Sequence, residues 1–238
     1  TRRRFLADAA HQIRTPLAVL GTQAEYGGRQ SDPEEMRRTF ASMLDSIRGT
    51  RHMANQMLIL ARAEQASDPL QERAALDIAE LARDVAGDFA ALALEKRIEL
   101  AFEAPGAPLR LNGNATMLRE MISNVVDNAL RYTPAGGHVT LSAIRLRTRA
   151  VLRVTDDGPG IPVAERDKVF QRFYRILGSG DSEGSGLGLC IVQEIGKAHG
   201  GTVHLGDGPG GRGLGVEIIL PIEDLWLEYT RRANRTSD

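Results

Sequence analysis

A single cysteine, Cys190, stands in 238 residues, so no intramolecular disulfide can form and no cysteine-based metal site can be built. That scarcity fits a reducing cytoplasm. No apolar run approaches the roughly 18–20 residues a membrane span needs, and nothing reads as a signal peptide. Neither sign of charge is in excess. Lys and Arg total 30 against 31 Asp and Glu, which argues against a binder of nucleic acid or anionic membrane. Lysine itself is scarce, at Lys96, Lys168 and Lys197 only, a trait read as genomic composition rather than function. There is no internal repeat, and no pair of histidines has metal-ligand spacing. What remains is ordinary globular material, 42% apolar and 26% charged, long enough for one large or two small domains. The chain opens mid-helix at Thr1-Arg2-Arg3-Arg4, and the expectation is of an excised part of a longer protein.

Residues 1–66 carry the spacing of two long helices. Leu6, Ala10, Ile13, Leu17, Leu20 and Ala24 alternate steps of four and three, as in a bundle seam. Gly27-Gly28-Arg29-Gln30-Ser31 breaks that pattern. Asp32 then caps a second helix, with Pro33 at its first position and Glu35 as capping-box partner. Its seam is Met36, Phe40, Met43, Ile47, Thr50, Ala54, Met57 and Ala61. One hairpin cannot bury both seams, and dimerisation into a four-helix bundle solves that. The alternative is a hairpin packed on its own downstream domain.

Ser67-Asp68-Pro69-Leu70-Gln71 reads as a linker, assigned to 67–72. Beyond it, 73–222 reads as mixed α and β, and 223–238 as a polar tail. Asp77 and Glu80 open a helix to about Ala93, and Asn114 caps one running to about Tyr132. Ile98 to Glu103, Leu109 to Leu111, Val139 to Leu146, Ala150 to Asp156, Thr202 to Leu205 and Leu214 to Leu220 read as strands, and Gly186 to His199 as a helix. Strands and helices without strict alternation predict an α+β sandwich with helices on one face of a sheet.

Three constellations carry chemistry. Glu120, Asn124, Asn128 and Arg131 fall at steps of four, four and three and share one helical face. Asparagine is a poor helix former, so two in mid-helix need an offsetting role. Neutral amide oxygens suit a hard cation already carrying phosphate ligands, and a solvated polar face is the alternative. Val154-Thr155-Asp156-Asp157-Gly158-Pro159-Gly160 delivers a carboxylate at a strand end, with glycines that let backbone approach a flat ligand, or is simply a tight turn. Gly184-Ser185-Gly186-Leu187-Gly188-Leu189 leads into a helix whose first N–H groups would bind phosphate. No Gly-Lys-Ser/Thr follows, so it is not a Walker A loop.

In this order the three resemble the nucleotide-binding domain of sensor histidine kinases, built on the Bergerat ATP-binding fold shared with gyrase. Asn124 to Pro134 is similar to the N box, the Asp156 stretch to the G1 box and the Gly184–Leu189 stretch to the G2 box. Val169-Phe170-Gln171-Arg172-Phe173-Tyr174-Arg175 resembles the F box of the ATP lid, and Gly200-Gly201-Thr202 with the closing strand resembles the last glycine-containing element. At the other end, Asp8-Ala9-Ala10-His11-Gln12-Ile13-Arg14-Thr15-Pro16-Leu17 matches the H box of the dimerisation and phosphotransfer domain.

The resemblance implies a fold of helical hairpin, dimerising into a four-helix bundle, followed by an ATP-binding sandwich. It implies ATP and Mg²⁺ as ligands and a response regulator as partner. The setting it implies is the cytoplasmic portion of a bacterial inner-membrane sensor, anchored through a missing N-terminal region. His11 would be autophosphorylated and pass the phosphoryl group to a regulator aspartate, and Thr15 would support phosphatase activity toward that regulator. Asn128 would hold Mg²⁺, with Asn124 beside it. Asp156 would accept the adenine amino group, with Gly158 and Gly160 close to the base. Arg131 and Tyr132 would flank the nucleotide. Gly184, Gly186, Leu187, Gly188 and Leu189 would line the phosphates, and Arg172 and Arg175 would stabilise the transferring group.

One departure stands out. The family usually has an acid after the histidine, and this chain has Gln12. Glutamine orients a ring N–H but takes no proton. An imidazole of pKa about 6.5 mostly carries a free lone pair near neutrality. The loss of general-base help, typically about 10²–10⁴-fold, then predicts slower transfer rather than none. Asp8, three residues earlier, is a candidate substitute. The remaining histidines, His52, His138, His199 and His204, read as structural. Two other functions share these motifs. One is an ATPase, which characteristically has glutamate where this chain has Asn124. The other is a nucleotide-sensing dimer that transfers nothing.

Overall fold

The computed structural model describes residues 2–64, 73–104, 106–176 and 185–222, and the side chains among them except those of 2–8, 10–12 and 64. The linker expected at 67–72 and the tail at 223–238 lie outside the described residues. Two compact units divide the chain, Thr1–Ala61 and Arg62–Asp238.

The first unit holds helices α1 (Arg2–Arg29) and α2 (Pro33–Glu64). Helix α1 continues through Gly27 and Gly28, where a break is expected. Two glycines weaken a helix by about 1 kcal/mol each, but Gly27 lets α2 approach: a Cβ there would sit 3.1 Å from Thr39 Cγ2. The Asp32 cap forms, its Oδ1 accepting Glu34 N–H at 3.1 Å. Glu35 does not act as drawn from the sequence. Its carboxylate accepts from Tyr26 Oη at 3.4 Å across the hairpin and faces Arg38 at 3.9 Å. The seam of α2 also splits. Met43 and Thr50 are half-buried, whereas Phe40, Leu44 and Ile47 are 59%, 53% and 48% exposed. Between the helices lie polar contacts, Gln23 Nε2 donating to Ser42 Oγ at 2.8 Å and Ser46 Oγ donating to Gln23 Oε1 at 3.3 Å. The hairpin thus joins its helices through polar contacts, burying Met57 and Leu60 of α2 while leaving Phe40, Leu44 and Ile47 outside.

The second unit begins with β1 (Ala74–Asp77), a strand not anticipated, which pairs antiparallel with β3 (Arg110–Gly113). Asp77 ends β1 and caps α3 (Ile78–Glu95), its Oδ1 accepting from Ala79 N–H and Leu109 N–H. The five-stranded sheet runs β2 (Glu99–Glu103), β4 (His138–Leu146), β5 (Arg149–Asp156), β7 (Leu214–Pro221), β6 (Thr202–Asp207). Only the β2–β4 pair is parallel. Register places Leu141 beside Val154 and Val154 beside Val216, so alternate residues of each strand build one buried face. Helix α4 (Ala115–Tyr132) lies between α3 and α5 (Gly188–Ala198) over that face, and Leu118, Met121, Ile122 and Val125 complete the core. The opposite face is mixed, with Arg153 of β5 paired to Glu217 of β7 and an apolar row of Ile144, Val151 and Ile219 beside them. This is the helices-on-one-face sandwich expected.

Candidate functional site

Asn114 starts α4 by accepting Met117 N–H at 3.0 Å, and the helix carries the two asparagines inward. Asn124 Nδ2 donates to Glu120 C=O at 2.8 Å, a back-bond that offsets part of its poor propensity. That bond turns Oδ1 toward α5. A Cβ on Gly188 would sit 3.3 Å from Asn124 Oδ1 and 3.2 Å from Asn128 Nδ2. The structure therefore brings Asn124, Asn128 and Gly188 together. Arg131 pairs along the helix with Asp127 at 3.1 Å, and Tyr132 is exposed at the helix end.

Strand β5 delivers Asp156 to the rim, 5% exposed. Its Oδ1 accepts from Gly158 N–H at 2.9 Å and Leu214 N–H at 3.2 Å. Burial pushes its carboxyl above the ordinary range, and the two N–H bonds oppose that push. Backbone crowds it closely. Gly213, at φ +73°, would place a Cβ 1.8 Å from Asp156 O, and a Cβ on Gly158 would lie 2.9 Å from Tyr132 O. Gly160 closes the same turn against Gly213. Sequence reading missed Gly213 and the Leu214 N–H; the glycine run 208–213 before the last strand was the available signal. It also read His138 as merely structural. The ring and backbone N–H of His138 both engage Asp157, each at 2.9 Å. The hydrogen bond that the ring donates to the Asp157 carboxylate raises the imidazole's pKa, and the same bond lowers that of Asp157.

Helix α5 opens with no side chain among the described residues capping it and no acid in its first turn. Its first N–H groups and the positive end of its dipole suit an anion. Leu187 is buried, its N–H held by Ser185 Oγ at 3.2 Å, and Leu189 is half-buried. Gly186 C=O accepts Phe173 N–H at 2.9 Å, and both residues have positive φ, so the F and G2 stretches are joined. Arg172 lies at Cys190, where burial pushes the thiol up and the guanidinium's charge and hydrogen bond pull it down. Arg175 is exposed. At the foot of this segment, Arg166 donates to Ile161 C=O at 3.1 Å and pairs with Asp207, while Tyr174 Oη donates to Glu165. Gly184 lies outside the described residues.

In the first unit, His11 and Thr15 stand one turn apart on α1, and Thr15 is exposed. The side chains of His11 and Gln12 lie outside those described. Pro16 sits within the helix without ending it. Among the described residues no helix is long and apolar enough to cross a membrane. Among them, too, no group of three or more His, Cys, Asp or Glu side chains could hold a metal ion.

Two family models match. Residues 1–66 match the His Kinase A (phospho-acceptor) domain, and 113–224 match the histidine kinase-, DNA gyrase B- and HSP90-like ATPase. The chain is 41% identical over 220 residues to sensor protein kinase PmrB of Pseudomonas aeruginosa, covering 92% of this chain and 45% of that protein. It is 38% identical over 223 residues to sensor histidine kinase CusS of Escherichia coli, covering 91% and 45%. The chain thus spans about half the length of the curated relatives it matches. Among solved structures, a mycobacterial sensor histidine kinase MprB is similar at a TM-score of 0.56 and 31% identity, over 65% of this chain and 100% of that one. With a phospho-acceptor domain ahead of an ATPase domain, and relatives that are sensor kinases along nearly its whole length, the chain belongs to the sensor histidine kinases of two-component systems.

Proposed function

We propose that the chain is the catalytic core of a dimeric histidine kinase that transfers the γ-phosphoryl of ATP to His11 and then to an aspartate of a response regulator. The observation that carries this is the meeting of two mid-helix asparagines with Gly188 at an uncapped helix start, in a unit that also buries an aspartate at the end of β5. Asp156 is held by Gly158 and Leu214 so that its carboxylate accepts the adenine amino group. Gly186 and Gly188 let the α5 backbone reach the phosphates. The amide oxygens of Asn128 and Asn124 suit Mg²⁺, which takes few protein ligands and shares the rest with phosphate and water. Bound there, Mg²⁺ neutralises charge on the phosphate oxygens.

The imidazole lone pair of His11 attacks the γ-phosphorus, the bond to the bridging oxygen breaks, ADP leaves, and the ring proton passes to water or a neighbouring acceptor. Gln12 orients the ring N–H. The phosphoryl then moves to a carboxylate of the regulator as the N–P bond breaks, and the ring takes up a proton from water to regenerate neutral His11. Thr15, exposed one turn along, directs water at the phosphorylated regulator in a phosphatase reaction that releases inorganic phosphate. Phe40, Leu44 and Ile47 supply the apolar surface on which a second copy completes a four-helix bundle. Anchoring in a membrane belongs to a region outside this chain.

Asn124, where an ATPase of this fold would carry a glutamate to activate water, favours transfer over hydrolysis. The test is lability. Wild-type chain incubated with γ-labelled ATP and Mg²⁺ is expected to gain label that acid removes and alkali does not. Steady phosphate release with no labelled protein would replace this reading with the hydrolytic one. ATP binding with neither product would leave a nucleotide sensor.

A further inference from the structure

His199 lies where three elements end, at the last turn of α5, at the start of α4 and beside the β1–β3 ribbon. It is 7% exposed. Its Nδ1 lies 2.8 Å from Ile195 C=O, which can only accept, and its Nε2 lies 3.1 Å from Asn114 N–H, which can only donate. The ring is therefore neutral with its proton on Nδ1. Asn114 is the N-cap of α4, so the ring ties the C-terminal turn of α5 to the first residue of the asparagine-bearing helix. Packing tightens the joint, since a Cβ on Gly113 would sit 3.0 Å from His199 Cδ2. The other end of the same two helices is the meeting of Gly188 with Asn124 and Asn128. Helix α5 spans 11 residues, about 16 Å, and is rigid over that length.

We infer that His199 is a positioning residue that sets the register of α5 on α4, and through it the placement of the α5 N-terminus against Asn124 and Asn128. This rests on the nucleotide site proposed above. Sliding α5 or rotating its far end moves the backbone N–H groups at Gly188 relative to the amide oxygens, and such a site loses affinity for small displacements. The joint also receives the strand that follows the linker, because Arg73 Nη2 donates to Ala198 C=O at 2.7 Å, next to His199. The state of the ring matters. Protonated, Nε2 would carry a hydrogen facing the Asn114 N–H, and the tie becomes a repulsion. Arg73 is the charged group near the ring, and the residues facing it from α4 and β3, Asn114 and Gly113, are neutral. Burial above all, and Arg73 to a lesser degree, hold the imidazole below its ordinary pKa, against the Ile195 hydrogen bond.

The test measures binding of a non-hydrolysable ATP analogue with Mg²⁺ to the full chain as wild type, His199→Phe and His199→Gln. Phenylalanine keeps volume and removes both bonds; affinity is expected to fall about tenfold through displacement of the α5 N-terminus from Asn124 and Asn128. Glutamine keeps an oxygen for Asn114 and does not titrate. The ratio of wild-type to His199→Gln affinity is expected to stay level through the ordinary imidazole pKa of about 6.5 and to decline only at lower pH, because burial holds this ring below that value. A folded His199→Phe with wild-type affinity overturns the inference, since a merely structural residue would lower melting temperature without moving the dissociation constant. So does a ratio that stays level at the lower pH too, which decides alone if His199→Phe fails to fold. Wild type that binds no nucleotide overturns the site itself, and needs no variant to show it.

Discussion

Replacement of His11 by glutamine or alanine is expected to remove all acid-labile label from γ-labelled ATP, a loss of at least about 10³-fold, with nucleotide affinity unchanged. Neither side chain offers a nucleophilic nitrogen, and the proposed nucleotide site is built in the other unit from α4, β5 and α5. The chain supplies its own control. His52 lies on the second helix of the same hairpin and stays in place in both variants. Label that survives the His11 change and remains acid-labile would move the acceptor to another histidine. Label that survives acid would indicate a hydroxyl or another ester acceptor. Binding of the nucleotide, measured alongside, separates a lost acceptor from a collapsed ATP site.

Asp156→Asn is expected to split stability from function. The buried carboxyl has a raised pKa, chiefly through desolvation, so its ionised form is a cost to the fold. A group raised in the folded state stabilises fully below its unfolded pKa, and that contribution is lost as pH rises through the folded value. At neutral pH the asparagine variant is spared this cost, while its Oδ1 can still accept Gly158 N–H and Leu214 N–H. Its melting temperature should equal or exceed that of the wild type. Its amide nitrogen, however, presents donors where the adenine amino group also donates. Affinity for ATP is expected to fall about 10²-fold, the scale of a lost hydrogen bond to a charged acceptor. Calorimetry and thermal melting on one sample check both halves. A variant that melts lower and binds ATP normally would remove Asp156 from base recognition.

Local chemistry was readable along the chain where one residue and its near neighbours decide the outcome. Asp32, Asp77 and Asn114 each cap the helix they were expected to start. Alternation located the strands of the large sheet, because Leu141, Val154 and Val216 and their alternate neighbours supply the face that the helices cover. Contacts across long separations were not readable. Strand β1 is four residues that exist as a strand only because β3, more than thirty positions later, pairs with them. The polar contacts between the hairpin helices depend on Gln23 meeting Ser42 and Ser46, and periodicity counts apolar residues, so the seam of α2 was drawn through residues that face both ways. At the site, the boxes themselves were legible, since glycine spacing and a strand end carry that signal. The Leu214 N–H on Asp156 and the His138 grip on Asp157 were not, because one is a backbone group and the other a side chain 19 positions away. The join between Phe173 and Gly186 was invisible for a similar reason, resting on a positive φ at a phenylalanine.

Cys190 adds a consequence of a different kind. The chain's one thiol sits in the first turn of α5, buried, with its pKa raised by desolvation. Thiolate is the reactive form, so an alkylating reagent meets almost none of it in the closed structure. Modification has to wait for the α5 start to open, and its rate then reads the free energy of that opening. The thiol thus times the opening of the α5 start, and ATP bound at the phosphate site proposed there should slow its modification.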